Sequence, residues 1–174
     1  MSPIRALTLL LLLLAPNAFA ARLYQVEMIV LRQHEVPAIS SRPAPENWAQ
    51  GAQAVAAENV RQPAMLNEAA RLQESGKYTV LLQRAWQQPL DEQPSKLLVS
   101  DGEPHFGHYP IEGSVTLGAA RFTDVQADLW VNQLDRNGLI SNTEHLRQTS
   151  RMKPGELNFI DGGHLALLIK VTPL

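Results

Sequence analysis

The chain has no cysteine among its 174 residues. That excludes disulfides, a lipid anchor attached through a thiol, and catalysis by a thiolate. Aromatic side chains are sparse at 6%, and charged residues make up only 18%. With 15 basic against 17 acidic side chains the net charge is −2, which gives no electrostatic footprint for nucleic acid or an anionic membrane. Long apolar runs are missing after residue 20. The longest late one, Leu165 to Ile169, has the length of a strand, whereas a membrane-spanning helix needs roughly 20 residues.

The first twenty residues are different. Arg5 supplies a positive n-region, Leu7 to Ala15 a short apolar h-region, and Ala18-Phe19-Ala20 an A-x-A cleavage site. The expectation is a secretory signal peptide over 1–20, a mature chain from Ala21, and a periplasmic location without membrane insertion. Residues 21–174 then suit a single domain that buries its core without disulfides or metals.

Period-two patterns dominate that domain. Tyr24, Val26, Met28 and Val30 alternate with Gln25 and Glu27, as in a half-buried strand. The pattern dissolves between residues 33 and 62 into prolines, serines and alanines, with a short helical piece expected around Ala52–Val60. Pro63 is placed to open a helix whose apolar face is Met65, Leu66, Ala69 and Leu72, ending at Gly76. Tyr78–Gln87 reads as a strand with Tyr78, Val80, Leu82 and Trp86 on one face. Strand, helix, strand suggests a crossover unit, right-handed if the two strands share a sheet in parallel.

Residues 88–110 read as a second long loop, broken by Pro89, Pro94, Pro104 and Pro110. Ile111–Leu117 and Phe122–Asn132 read as strands, the latter with Val125, Ala127, Leu129 and Val131 inward and Trp130 outward. Asn137-Gly138 is a strong hairpin signal and returns the chain into a polar edge strand, Ser141–Met152. Pro154-Gly155 turns again, and Glu156–Asp161 and His164–Val171 close the chain. The expected fold is α+β: an antiparallel-dominated sheet of five to six strands, one main packed helix and two long loops.

Motifs for covalent chemistry are scarce. His105 and His108 are the only histidines close in sequence, in a segment with proline and glycine, and H-E-x-x-H is absent. No metal or cofactor is expected. Neither G-x-S-x-G nor K-T-G occurs. Asp124 and Asp128 share a strand face four residues apart, ~13 Å at ~3.3 Å per residue. A glycosidase pair needs roughly 5–9.5 Å, so these two do not form one. Trp86, beside Val80 and Leu82, belongs in the core, whereas Trp130 shares its face with acids and amides and is expected to be partly exposed.

The order of several segments resembles a known family. They are Tyr24 to Arg32, Tyr78 to Leu82 with Ala85-Trp86-Gln87-Gln88-Pro89, Arg121-Phe122 leading to Ala127-Asp128-Leu129-Trp130, and Arg151 to Asp161. The chain is similar to the CsiV family of periplasmic peptidoglycan-binding proteins of Gram-negative bacteria. The resemblance implies a non-enzymatic protein that binds the cell wall. It also implies support of a class A penicillin-binding protein through that enzyme's outer-membrane lipoprotein activator. It transfers no ligand residues.

Wall recognition would use aromatic stacking on sugar rings and arginine on stem-peptide carboxylates. The candidate residues are Trp130, Arg121 and Arg151, with Tyr109 and His105 from the adjoining loop. The two arginines could equally form surface ion pairs with Asp124, Asp128 or Glu144. A protein–protein adaptor that uses its proline-broken loops, without touching the wall, is the alternative.

Overall fold

A computed structural model describes residues 21–174, so the expected signal peptide lies outside the described residues. Nine strands form two sheets. They are β1 (Arg22–Gln33), β2 (Val60–Arg61), β3 (Tyr78–Leu90), β4 (Ser95–Asp101), β5 (Ile111–Ala119), β6 (Thr123–Leu134), β7 (Ile140–Met152), β8 (Leu157–Asp161) and β9 (Leu165–Pro173). The first sheet has the order β2-β3-β1-β9-β8 and the second β4-β5-β6-β7. Every named strand pair is antiparallel.

The sheets pack face to face. Val26, Met28 and Val30 of β1 and Leu167 and Ile169 of β9 meet Val115, Leu117, Val125, Ala127 and Leu129 of the second sheet in one buried core. The other face of the first sheet is apolar at its centre too. Ile29, Leu31, Ala166 and Leu168 pack there under Ala69 of α1 (Leu66–Glu74), the one α-helix among the described residues, and under Met65 just before it. That explains why β9 is apolar on both faces. The layers are helix, sheet, sheet.

Several expectations need correction. There are two sheets, not one of five to six strands. The supposed loop 88–110 contains the end of β3, with Pro89 inside it, and all of β4, an edge strand that Pro94 and Pro104 flank. β1 and β3 are antiparallel neighbours, so no parallel crossover exists between them. Tyr78 and Val80 do not share a core with Leu82 and Trp86. The β1–β3 register shifts at Val30/Leu31, and this bulge turns Tyr78 and Val80 toward the helix.

The helix also starts three residues later than Pro63. The buried Glu27 carboxylate accepts the N–H groups of Ala64 (2.7 Å) and Met65 (3.1 Å), holding that segment outside the helical turn. Leu66 consequently points outward, 60% exposed, while Met65 and Ala69 are buried.

The segment 34–59 is ordered around a few anchors. Ser41 N–H donates to the Thr143 carbonyl beside β7 (2.7 Å), and Trp48 packs edge-on against Tyr109. Gln53 then pairs with β4, so the segment straps the second sheet from one edge to the other. A 3₁₀ turn over Ala57–Asn59 matches the short helical piece expected there.

Candidate functional site

The outer face of the second sheet carries Trp130 and Arg151, with Arg121 in the β5–β6 turn and His105 and Tyr109 in the loop before β5. Strand register lays its side chains in rows across β5, β6 and β7. Glu112, Trp130 and His145 form one row; Ser114, Asp128 and Arg147 the next; Thr116, Gln126 and Thr149 the third; Gly118, Asp124 and Arg151 the last.

At one end Trp130 is stacked on His145, with ring centroids 4.4 Å apart and planes 8° from parallel. His145 Nε2 meets Asp128 Oδ1 at 2.6 Å. The indole is only 9% exposed, which corrects the expectation of a partly open Trp130. It does point outward, but the imidazole covers it. The half-buried His145 therefore presents the aromatic surface of this face to solvent.

Behind the stack lies a buried polar network. The fully buried Glu112 accepts His108 Nδ1 (2.7 Å), Tyr109 N–H (2.9 Å) and Asn132 Nδ2 (2.9 Å). Asn132 also donates to the Tyr109 carbonyl (2.8 Å) and accepts from the Thr143 hydroxyl (2.8 Å). Such a carboxylate is tolerated in the interior because its oxygens are satisfied. It also ties the loop carrying Tyr109 to the sheet. His105 and His108 pair through their backbones in a tight turn, with the His105 ring against Gly138 of the β6–β7 hairpin. Among the described residues no group of three or more histidines and carboxylates is placed to hold a metal ion.

Arg121 and Arg151 stand at the opposite end. Arg151 grips Asp124 with two hydrogen bonds, Nε–Oδ1 at 2.6 Å and Nη2–Oδ2 at 3.0 Å. That guanidinium holds the Asp124 carboxyl below the usual carboxylate range, chiefly by hydrogen bonding. Arg121 lies over the Phe122 ring, 5.6 Å from its centroid. Trp130 and Asp124 are six residues apart on β6, about 20 Å along the strand. The structure thus brings Trp130, Tyr109 and His105 to one end and sets Arg121 and Arg151 at the other.

Arg147 lies between the ends. It is exposed and reaches Asp128 only at 4.0 Å, so its guanidinium is loosely held. Asp124 and Asp128 are each engaged by a basic partner. One S-x-x-K spacing does exist, Ser150 to Lys153. It falls on extended chain at the end of β7, where residues three apart face opposite ways, and Lys153 leans toward Glu156 at 3.4 Å.

His145, Arg147 and Glu112 were not among the residues singled out in the sequence. A signal for the first existed. Counting outward equally from Asn137-Gly138 reaches Trp130 and His145 together, which is their observed register. Glu112 had no signal, because its burial depends on a loop folding back over it.

Fold and face together define a helix-backed β-sandwich with a polar sheet surface, an aromatic stack at one end and paired acidic and basic side chains along its length. A family model described as "Peptidoglycan-binding protein, CsiV" matches residues 5–63 and 53–174, and the chain belongs to that family. No curated protein and no solved structure matches it.

Proposed function

We propose that this protein binds peptidoglycan in the periplasm through the outer face of its second sheet, without cleaving it. The observation that carries the reading is the family match across nearly the whole chain. The face suits the ligand. A wall strand is a long polymer of sugars with acidic stem peptides, and this surface offers rows of hydrogen-bonding side chains over about 20 Å. The Trp130–His145 stack offers an aromatic edge for a sugar ring, framed by Tyr109 and His105. Arg147 and, further along, Arg151 and Arg121 offer guanidinium groups to carboxylates. A polymer can span both ends at once.

By binding wall in this way the protein would support synthesis by a class A penicillin-binding protein, acting with that enzyme's outer-membrane lipoprotein activator. Sedimentation with purified sacculi separates this reading from a pure adaptor. A wall binder pellets saturably, whereas an adaptor stays in the supernatant. Labelled sacculi should release no soluble fragments during the incubation, and release would identify an enzyme instead.

A further inference from the structure

The sandwich is open along the side where β3 and β4 run. β2 covers β3 for two residues only, Val60 against Trp86 and Arg61 against Ala85. The outer edge of β4 is met at one point: Gln53 N–H donates to the Lys96 carbonyl (3.0 Å) and Leu98 N–H to the Gln53 carbonyl (2.8 Å). Between these edges lies a cavity of about 330 Å³, within the range of small-ligand sites.

Its walls are unusual in kind. Four consecutive residues of β4, Leu97 to Ser100, line it, and so do three consecutive residues of β3, Arg84 to Trp86. Neighbouring side chains on a strand point to opposite faces, so a run of four marks a strand seen edge-on. The Leu98 N–H points outward to Gln53, and Ser100, two residues on, repeats that orientation. The Leu98 carbonyl and the Ser100 N–H and carbonyl therefore point away from β5, beyond the reach of Gln53. Trp86, Leu97, Val99 and Val55 make the interior apolar. Arg84 is the one charged residue in the lining. Its partner is Asp101, in a pair whose members are 47% and 42% exposed, and such surface pairs exchange readily.

We propose that this cleft takes an extended peptide. The peptide backbone continues the pairing of β4 where Gln53 leaves off, a small aliphatic side chain enters over Trp86 and Val99, and a C-terminal carboxylate reaches Arg84. A simple acyl chain would fill the apolar interior but leave the edge groups of Leu98 and Ser100 without partners. Ser100 continues the Glu112–Trp130–His145 row onto β4, but the cleft lies at the far edge of the sheet, two strands from Trp130, and its lining includes no residue of the proposed wall-binding site, so this proposal does not depend on the wall-binding reading.

The probe is the soluble pentapeptide Lys-Ala-Val-Ala-Ala, once with a free C-terminal carboxylate and once amidated, titrated into isotope-labelled protein. Saturable amide shifts are expected at Leu98, Ser100 and Val55 and at the Trp86 indole, with the amidated peptide about tenfold weaker. Shifts that do not saturate, or that centre on Trp130, overturn the proposal. Ser100→Pro removes an edge N–H at a position where an edge strand tolerates proline, and should weaken binding about tenfold. A folded Ser100→Pro protein that binds like the parent overturns strand addition. Arg84→Gln should erase the difference between the two peptides, and a difference that persists overturns the carboxylate assignment. The Arg84→Gln result decides the case even if Ser100→Pro fails to fold.

Discussion

Arg32 and Glu144 tie the two sheets together at one end of the sandwich. Arg32 follows Val30 on the core face of β1, and its fork meets the Glu144 carboxylate of β7, Nε–Oε2 at 3.0 Å and Nη2–Oε1 at 2.6 Å. Glu144 is 1% exposed, and the buried His164 Nε2 stands 3.7 Å from Oε2. Removing the arginine strands a buried carboxylate. Arg32→Ala should therefore cost on the order of 3 kcal/mol in urea unfolding. Arg32→Met combined with Glu144→Leu, which removes both charges, should cost clearly less. Equal losses would mean that the pair does not act as a unit.

The Glu27 carboxylate, on a neighbouring strand, anchors the chain that leads into α1. Glu27→Ala leaves the N–H groups of Ala64 and Met65 without acceptors in a buried setting. A loss of about 1–2 kcal/mol is expected, with faster hydrogen exchange at those two amides. Glu27→Gln keeps one acceptor oxygen and should lie between.

Much of the architecture could be read from the sequence, and the failures share a cause. The Asn137-Gly138 hairpin, the inward set of β6 and the edge position of β7 follow from local pattern. So does the two-sided apolarity of β9, although its reason, a helix on one side and a second sheet on the other, does not. The late start of α1 depends on Glu27, 37 residues from Ala64. The split of β3 between two cores depends on one bulge, and the covering of Trp130 on a ring brought across the hairpin. Each miss is a non-local contact overriding a local preference. At the site, residue types were legible and their partners were not: Arg151 is held by Asp124, whereas Arg147 is loosely held.

Gly113 tests the second sheet itself. Its φ is 144°, and a Cβ there would stand 2.1 Å from the Asp128 carbonyl oxygen and 2.8 Å from the Leu129 Cα. All of these atoms are backbone of β6, so nothing flexible is there to give way. Gly113→Ala should cost about 3 kcal/mol or more and disturb the Asp128 and Trp130 rows, read by thermal unfolding and amide shifts.

The Asp124–Arg151 pair should show in a carboxyl titration. The folded Asp124 titrates below an ordinary aspartate because Arg151 hydrogen-bonds its charged form. Whatever stability the pair adds is present above the unfolded-state value and is lost as pH falls through the lowered one. In Arg151→Ala the carboxyl should titrate higher. Because both groups are exposed, stability at neutral pH should barely change.

Binding isotherms on purified sacculi, for the parent and for Arg147→Ala, test the wall-binding face most directly. Arg147 is exposed and loosely held, so its removal leaves the fold in place. The expected result is saturable pelleting of the parent and about fivefold weaker binding of the variant. Superimposable isotherms, or a parent protein that never leaves the supernatant, would contradict it.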